Sequence, residues 1–227
     1  MPRIEPESVG LFEALYSMRA LRRFTDKPVS DEDLYQVIDA AIRAPAGGNM
    51  QIWHFLIVRD VAKRKAIGEM YWQTWTEYGK QYVDDPSNID KLPRQMRLVV
   101  RSTDDLARNI AKVPVHLLIC GPPQAGGSLY PAMQNALLAC RGLGLGSVIT
   151  GFHMGHMDKL RPLLEIPEGQ TVHALLPIGW PSDKIGPVNR RPVRKAASID
   201  TWGNTWEYSA NQPEEGLRDR WAPPDSG

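Results

Sequence analysis

Cysteine is scarce in this sequence: Cys120 and Cys140 are the only two in 227 residues. Both sit in apolar runs without ligand-like spacing, which argues against a disulfide framework and for a reducing cytoplasm. Net charge is nearly absent too. With 27 basic and 26 acidic side chains the balance is +1, so nothing favours broad binding to nucleic acid or to an acidic membrane surface. Residues 113–140 contain no Asp, Glu, Lys or Arg. Yet GPPQAGGS at 121–128 cuts that stretch, and neither piece reaches the ~20 apolar residues of a membrane helix. The opening MPRIEPESVG has acids and prolines where a secretory signal needs an apolar core. A soluble protein is expected, with one large domain over 1–200 and a tail over 201–227.

Familiar catalytic signatures are missing as well. The sequence holds no G-x-S-x-G motif, no plausible triad and no internal repeat. His153 and His156 have His-x-x-His spacing, but they lie among glycines and methionines and read as structural or exposed, not as metal ligands. His54, His116 and His173 lie in apolar strands and read as core. GLGLGS at 142–147 has the glycines of a dinucleotide fingerprint in the wrong setting. Such a fingerprint follows a strand and opens a helix, whereas these glycines follow a helix and lead into SVIT, a short strand. They read as a helix stop.

The elements that are present can be taken in order. Residues 9–18 form a helix with Leu11, Leu15 and Met18 on one face. Ser30 caps the next, with Asp33 placed as in a capping box, and Leu34, Val37, Ile38, Ala41 and Ile42 form its stripe. Pro45 and Gly47-Gly48 stop it. WHFLIVR, 53–59, is a strand apolar enough to be buried on both faces. Residues 61–82 are helical, with more aromatics (Tyr71, Trp72, Trp75, Tyr78, Tyr82) than one core face needs. The polar segment 83–102, broken by Pro86 and Pro93, is either a lid over a site or a surface excursion. As part of a lid over 71–112 the aromatics would shape a pocket for flat, electron-poor molecules; otherwise they are an ordinary dimer contact. A helix near 104–111 leads into a second buried strand, VPVHLLICG. Ser128 starts a helix with Pro131 in its first turn, and Leu129, Met133, Ala136, Leu137 and Cys140 recur at helical spacing. A short helix at 157–164, the turn IPEG and the strand TVHALLPIGW follow. Residues 181–195 form a loop with a second basic cluster. Trp202, Trp206, Tyr208 and Trp221 make the tail too aromatic to be free, so Trp202–Tyr208 is expected to dock, above all on a neighbouring subunit.

The densest chemistry lies between Met18 and Phe55. Arg19, Arg22 and Arg23 open that stretch, and the Gly-rich loop Pro45–Asn49 stands near its end. Guanidinium groups and free backbone N–H groups in one short segment suit a phosphate or another planar anion.

Three blocks, in order, resemble the FMN-dependent nitroreductase family, in the bacterial branch written RAxRRF…APSGGNxQPW. They are MRALRRF with APAGGNMQIW, then SLYPAMQNALLACRGLGLGSVIT at 128–150, then LLEIPEGQTVHALLPIGWP with GPVNRRPV from Leu163 onward. With Met18, Ala20, Ala46 and Ile52 the chain departs from the Arg, Ser, Ser and Pro of many relatives. The resemblance implies an α+β fold: a three-layer sandwich with a central, mostly antiparallel sheet flanked by helices, in an intertwined homodimer with two FMN sites at the subunit interface. It implies that Arg19, Ala20, Leu21 and Arg22, with Arg23 as a neighbour, hold the FMN phosphate and ribityl chain. Arg190 and Arg191 would approach the same phosphate from the far end of the chain. Pro45, Ala46, Gly47 and Asn49 would reach the flavin from the second subunit, and Gln134 and Asn135 would stand beside it. Ile149, Thr150 and Gly151 would lie along the isoalloxazine, with a backbone N–H bonded to flavin N5.

The activity implied is ping-pong hydride transfer from NADH or NADPH, through flavin N5, to a nitroaromatic, quinone or related electron-poor acceptor. No catalytic acid, base or nucleophile of the protein is needed for it. Two alternatives stay open. One is a relative with different flavin chemistry, reductive dehalogenation or flavin fragmentation; the other is a non-catalytic FMN-binding sensor or carrier.

Overall fold

The computed structural model describes residues 9–183, 188 and 190–210; Trp221 lies outside them. Three strands, β1 (His54–Val58), β2 (Val115–Gly121) and β3 (Thr171–Ile178), pair antiparallel in the order β1-β2-β3. Every residue of β2 is buried. Because side chains alternate along a strand, β2 feeds two separate cores. Val115, Leu117 and Ile119, with Ala174, Leu176 and Ile178 of β3, pack against α2 (Asp31–Ala41) and α7 (Gly126–Gly142). Leu118 and Cys120, with Val172 and Leu175, pack against α3 (Val61–Tyr78), α6 (Arg94–Asn109) and α8 (Met157–Leu164). Helices therefore cover both faces of an antiparallel sheet, and the fold is an α+β sandwich of three layers.

Several elements form for the reasons read in the sequence. Ser30 Oγ accepts from Asp33 N at 3.0 Å and donates to Asp33 Oδ2 at 2.7 Å, so Ser30 caps α2 and the Asp33 carboxylate holds the capping hydroxyl. Gly144, at φ 74°, ends α7: Leu145 N donates to Cys140 O at 2.8 Å and Gly144 N to Arg141 O at 3.2 Å. That pair of bonds is a Schellman stop, which only a residue at ease in the left-handed region can make without strain.

Other expectations need correction. WHFLIVR is not buried on both faces; among the described residues β1 lies at the sheet edge, with a neighbour on one side only, and Ile57 is 41% exposed. His54, at the same edge, is exposed and not a core residue, while His116 is buried and His173 half-buried. The helix α1 (Leu11–Ser17) turns Ala14 and Ser17 inward and leaves Leu11, Phe12, Leu15 and Tyr16 exposed. Segment 83–102 is no polar break. Pro86 and Pro93 stand at the starts of α5 (Ser87–Asp90) and α6, where the missing N–H has no helical partner to lose, and α6 begins ahead of the helix expected near 104. In turn α7 starts at Gly126, not at Ser128, which moves Pro131 into the second turn and leaves Gly127 O without its helical donor. SVIT forms no ladder of its own; Gly146 pairs with Gly179 and Thr150 with Leu175 as isolated antiparallel bridges.

Candidate functional site

The arginine segment is seated along the far side of β3. Leu21 N donates to Ser147 O at 3.1 Å, Thr25 N donates to Trp180 O at 2.8 Å, and Phe24 pairs with Pro181. Two glycines make room for it. A Cβ on Gly146 would meet Leu21 Cδ1 at 3.1 Å and Leu21 Cβ at 3.2 Å, and one on Gly179 would meet Phe24 at 3.2 Å. Those glycines read from the sequence as a helix stop and part of a strand; their second role, as a bed for the arginine segment, was not visible there.

The three arginines separate in space. Arg23 is bonded to Asp105 of α6 and lies 3.4 Å from Asp183, so its charge is met by carboxylates. It faces a cleft of about 340 Å³ lined by Arg22, Arg23, Thr25, Asp26, Asp105 and Lys112. Arg22 is half-buried, and among the described residues its hydrogen bonding is one long contact, 3.4 Å, to Ser102 Oγ. Its pKa is lowered by desolvation first, with a further lowering from the nearby charge of Arg19 and an opposing effect of Tyr71. Among the described residues, neither Arg19 nor Arg22 forms an ion pair. Two like charges held together without a carboxylate are the electrostatic signature of an anion site.

Beside them runs the segment 149–151. Thr150 N donates to Leu175 O at 3.0 Å, and Thr150 O accepts from Leu175 N at 2.9 Å. In an antiparallel pair the residues on either side point their polar groups the other way. The N–H groups of Ile149 and Gly151 accordingly donate no hydrogen bond among the described residues, and Ile149 is 45% exposed. Thr150 N–H is thus committed to the sheet, and Ile149 and Gly151 carry the available donors. An apolar platform with outward amides fits the flat, polar-edged ring of a flavin. The arginine pair nearby fits its phosphate.

Helix α3 holds this segment from behind. Tyr71 OH lies 2.6 Å from Thr150 Oγ1, and Thr74 Oγ1 donates to Phe152 O at 2.9 Å while meeting His156 Nε2 at 3.1 Å. Phe152 packs on Tyr71, Trp75 and Tyr78, and Trp75 Nε1 donates to Asp104 Oδ1 at 2.8 Å. Tyr71 and Trp75 are buried in this cluster, and only Tyr78, 79% exposed, presents much of its ring to the outside. The surplus of aromatics on 71–82 was legible; the hydroxyl of Tyr71 as a partner for Thr150 was not, because nothing in the sequence relates positions so far apart. His153 and His156 are both buried.

The remaining expected residues lie on other elements. Pro45 and Ala46 lead into a loop in which Gly48, Asn49 and Gln51 all have positive φ, at 56°, 52° and 50°. Gly47 N donates to Ser128 Oγ at 3.2 Å, which docks the loop on the start of α7. Gln134 is exposed on α7, while Asn135 Nδ2 donates to Ala40 O at 3.2 Å near the end of α2. Ala20 is exposed and Leu21 buried. Val188 N donates to Tyr16 O at 3.1 Å, so the chain returns beside the end of α1 just before Arg190 and Arg191, both exposed. The structure thus gathers Arg19, Arg22 and Thr150 with Tyr71, and returns the chain at Val188 to Tyr16, three residues before Arg19. The Pro45–Asn49 loop belongs to the α7 side of the sandwich.

Known proteins resemble this chain in sequence and fold. The family model described as the nitroreductase family matches residues 16–180. A protein of Archaeoglobus fulgidus, provisionally named an NADH dehydrogenase/NAD(P)H nitroreductase, is 31% identical over 172 residues, covering 75% of this chain and 84% of its own. The FMN reductase [NAD(P)H] of Bacillus subtilis is 27% identical over 202 residues, 88% of this chain and 78% of its own. A crystal structure of oxidized iodotyrosine deiodinase, bound to FMN and 3-iodo-L-tyrosine, superposes with a TM-score of 0.65 at 22% identity, covering 87% of this chain and 100% of that one.

Proposed function

This chain belongs to the nitroreductase family, and on that premise we propose that it is an FMN-dependent NAD(P)H oxidoreductase reducing nitroaromatic, quinone or related electron-poor acceptors. The observation that carries the reading is the Arg19–Arg22 pair, unmatched by any carboxylate among the described residues, beside the outward amides of Ile149 and Gly151. The chemistry that FMN supplies when bound is hydride exchange, first with the nicotinamide and then with the acceptor. The chain's own residues bind and orient. Arg19 and Arg22 hold the phosphate, joined by Arg190 and Arg191, while Ala20 and Leu21 line the ribityl chain. The amides of Ile149 and Gly151 meet the polar edge of the ring. Arg23, tied to Asp105 and Asp183, supports the segment instead of the phosphate.

The site is completed in a homodimer, with Pro45, Ala46, Gly47 and Asn49 supplied by the second copy and Gln134 and Asn135 near the cofactor. The exposed apolar face of α1 and the exposed edge strand β1 support an assembly of that kind. No described helix is long and apolar enough to cross a membrane.

Flavin analysis and turnover test this reading together. The purified protein should release FMN, not FAD, on denaturation, accept hydride from NADH or NADPH without oxygen, and be reoxidised rapidly by a nitroaromatic or quinone. FAD in place of FMN, or no flavin taken up from an FMN solution, would overturn it. Likeness to an iodotyrosine deiodinase favours adding iodotyrosine to the acceptor panel, and preference for it would replace the leading reading with reductive dehalogenation. Reduced protein that no acceptor reoxidises would leave a sensor or carrier.

A further inference from the structure

Tyr71 stands between the two halves of the proposed site. Its ring is buried, packed on Phe152 at 5.0 Å between centroids, and its hydroxyl lies 2.6 Å from Thr150 Oγ1. The same hydroxyl interacts electrostatically with the guanidinium of Arg22. Either oxygen of the 2.6 Å pair can be the donor on distance alone. A guanidinium attracts the lone pairs of the phenol oxygen and disfavours a hydrogen directed at it, which favours Tyr71 as the donor and Thr150 Oγ1 as the acceptor. Burial raises the Tyr71 pKa, against smaller lowering effects of Thr150 and Arg22, which keeps the phenol protonated and able to donate.

The consequence falls on Thr150. Its backbone N–H and C=O are both spent on Leu175, and with Tyr71 as the donor its hydroxyl oxygen is the acceptor of the 2.6 Å pair. What remains is the hydrogen of its own hydroxyl. The geometry points to Tyr71 as a positioning residue: it fixes Thr150 Oγ1 as an acceptor from behind and so turns the Thr150 O–H into a donor beside the Gly151 amide. This rests on the flavin reading above and deepens it, because Thr150 belongs to the segment along which the ring is proposed to lie. Thr74, one turn along the same helix, makes a contact of another kind. It bonds the carbonyl of Phe152 and His156 and pins the fold without touching Thr150.

The test uses the full chain loaded with FMN, and the variants Tyr71→Phe, Thr150→Val, their double variant, Thr150→Ser and Thr74→Val. Two quantities are read: the dissociation constant of FMN and the midpoint potential of the bound flavin. Loss of one hydrogen bond corresponds to roughly a three- to tenfold weaker FMN affinity. Tyr71→Phe and Thr150→Val should both reach that range and both move the potential to more negative values. The double variant should be no worse than the worse single one, as expected when both remove the same interaction. Thr150→Ser should restore wild-type values, and Thr74→Val should lower the melting temperature while leaving the potential unchanged. If wild-type protein binds FMN and Tyr71→Phe matches it in both readouts, or the two single effects add in full, the positioning role is overturned while the flavin reading stands. Wild-type protein that binds no FMN overturns both. Should Tyr71→Phe fail to fold, Thr150→Val against Thr150→Ser decides: equal potentials in those two overturn the role.

Discussion

Arg22 and Arg23 are adjacent in the chain and committed to different tasks. Arg23 meets Asp105 and Asp183, from two distant parts of the sequence, whereas Arg22 lies half-buried beside Arg19 with one long contact to Ser102. Charge-assisted hydrogen bonds to a phosphate contribute about 1.5–3 kcal/mol, while ion pairs exposed to solvent contribute about 0–1 kcal/mol. Arg22→Met should therefore weaken FMN binding about tenfold or more, and Arg23→Met by less than about threefold, with at most a small loss of stability. Fluorescence titration of the flavin-free protein checks this, and equal losses from both variants would reverse the assignment. The sequence displays an arginine cluster suited to an anion but cannot sort its members. Sorting depends on which carboxylates the fold delivers, and Asp105 and Asp183 arrive from α6 and from the loop after β3.

Elements were legible where local chemistry decides them. The cap at Ser30, the Gly144 stop and the uncharged, buried β2 follow from residues within a few positions of one another. Reading failed where tertiary contacts decide. Pro86 and Pro93 resemble breaks until a helix is seen to start at each, and α1 turns its small residues inward because Arg141 reaches it, with Nε donating to Ser17 Oγ at 2.7 Å. Gly146 belongs to the same class. Its missing side chain lets the arginine segment lie against the sheet, an approach that no local pattern announces. Gly146→Ala would press a methyl group onto Leu21 at 3.1–3.2 Å, and overpacking of this kind costs about 1–3 kcal/mol. The expected outcome is a lower melting temperature together with weaker FMN binding, since Arg19 and Arg22 ride on the displaced segment. Gly142→Ala, whose Cβ meets nothing within 4 Å, is the control and should leave FMN binding unchanged. An unaltered FMN affinity in Gly146→Ala would show that the segment's seat does not set the site.

The whole molecule depends on two features that no single element explains. One is buried imidazole. His116 and His153 are held at pKa values of about 4, chiefly by desolvation, against an ordinary value of 6.5. Both are neutral when folded, so the unfolded chain binds more protons between pH 6.5 and 4. Their stabilising contribution is complete above that window and is lost as pH falls through it, at up to about 1.4 kcal/mol per pH unit for each group. Urea unfolding at several pH values should show this slope, and His153→Leu should flatten it; an unchanged slope would show that other groups govern acid unfolding. The other feature is the tail. Its hydrogen bonds from Ala196 to Ala210, among the described residues, run within the tail or back to Val193, and Trp202 is 98% exposed, with Trp206 and Tyr208 packed on each other at 5.6 Å. A ring of that size buries ~150–250 Å², and at ~25 cal/mol per Å² its burial stabilises by several kcal/mol before ordering costs. The described residues leave Trp202 uncovered, so a second copy is the surface that fits it, and two-fold symmetry covers two tails at once. If each flavin site joins Arg19 and Arg22 of one copy to the Pro45–Asn49 loop of the other, dimer and cofactor are lost together. Truncation after Lys195 should accordingly lower the molar mass seen by light scattering and the FMN content of the same sample. A truncated monomer that keeps its full FMN would show that one chain holds the whole site.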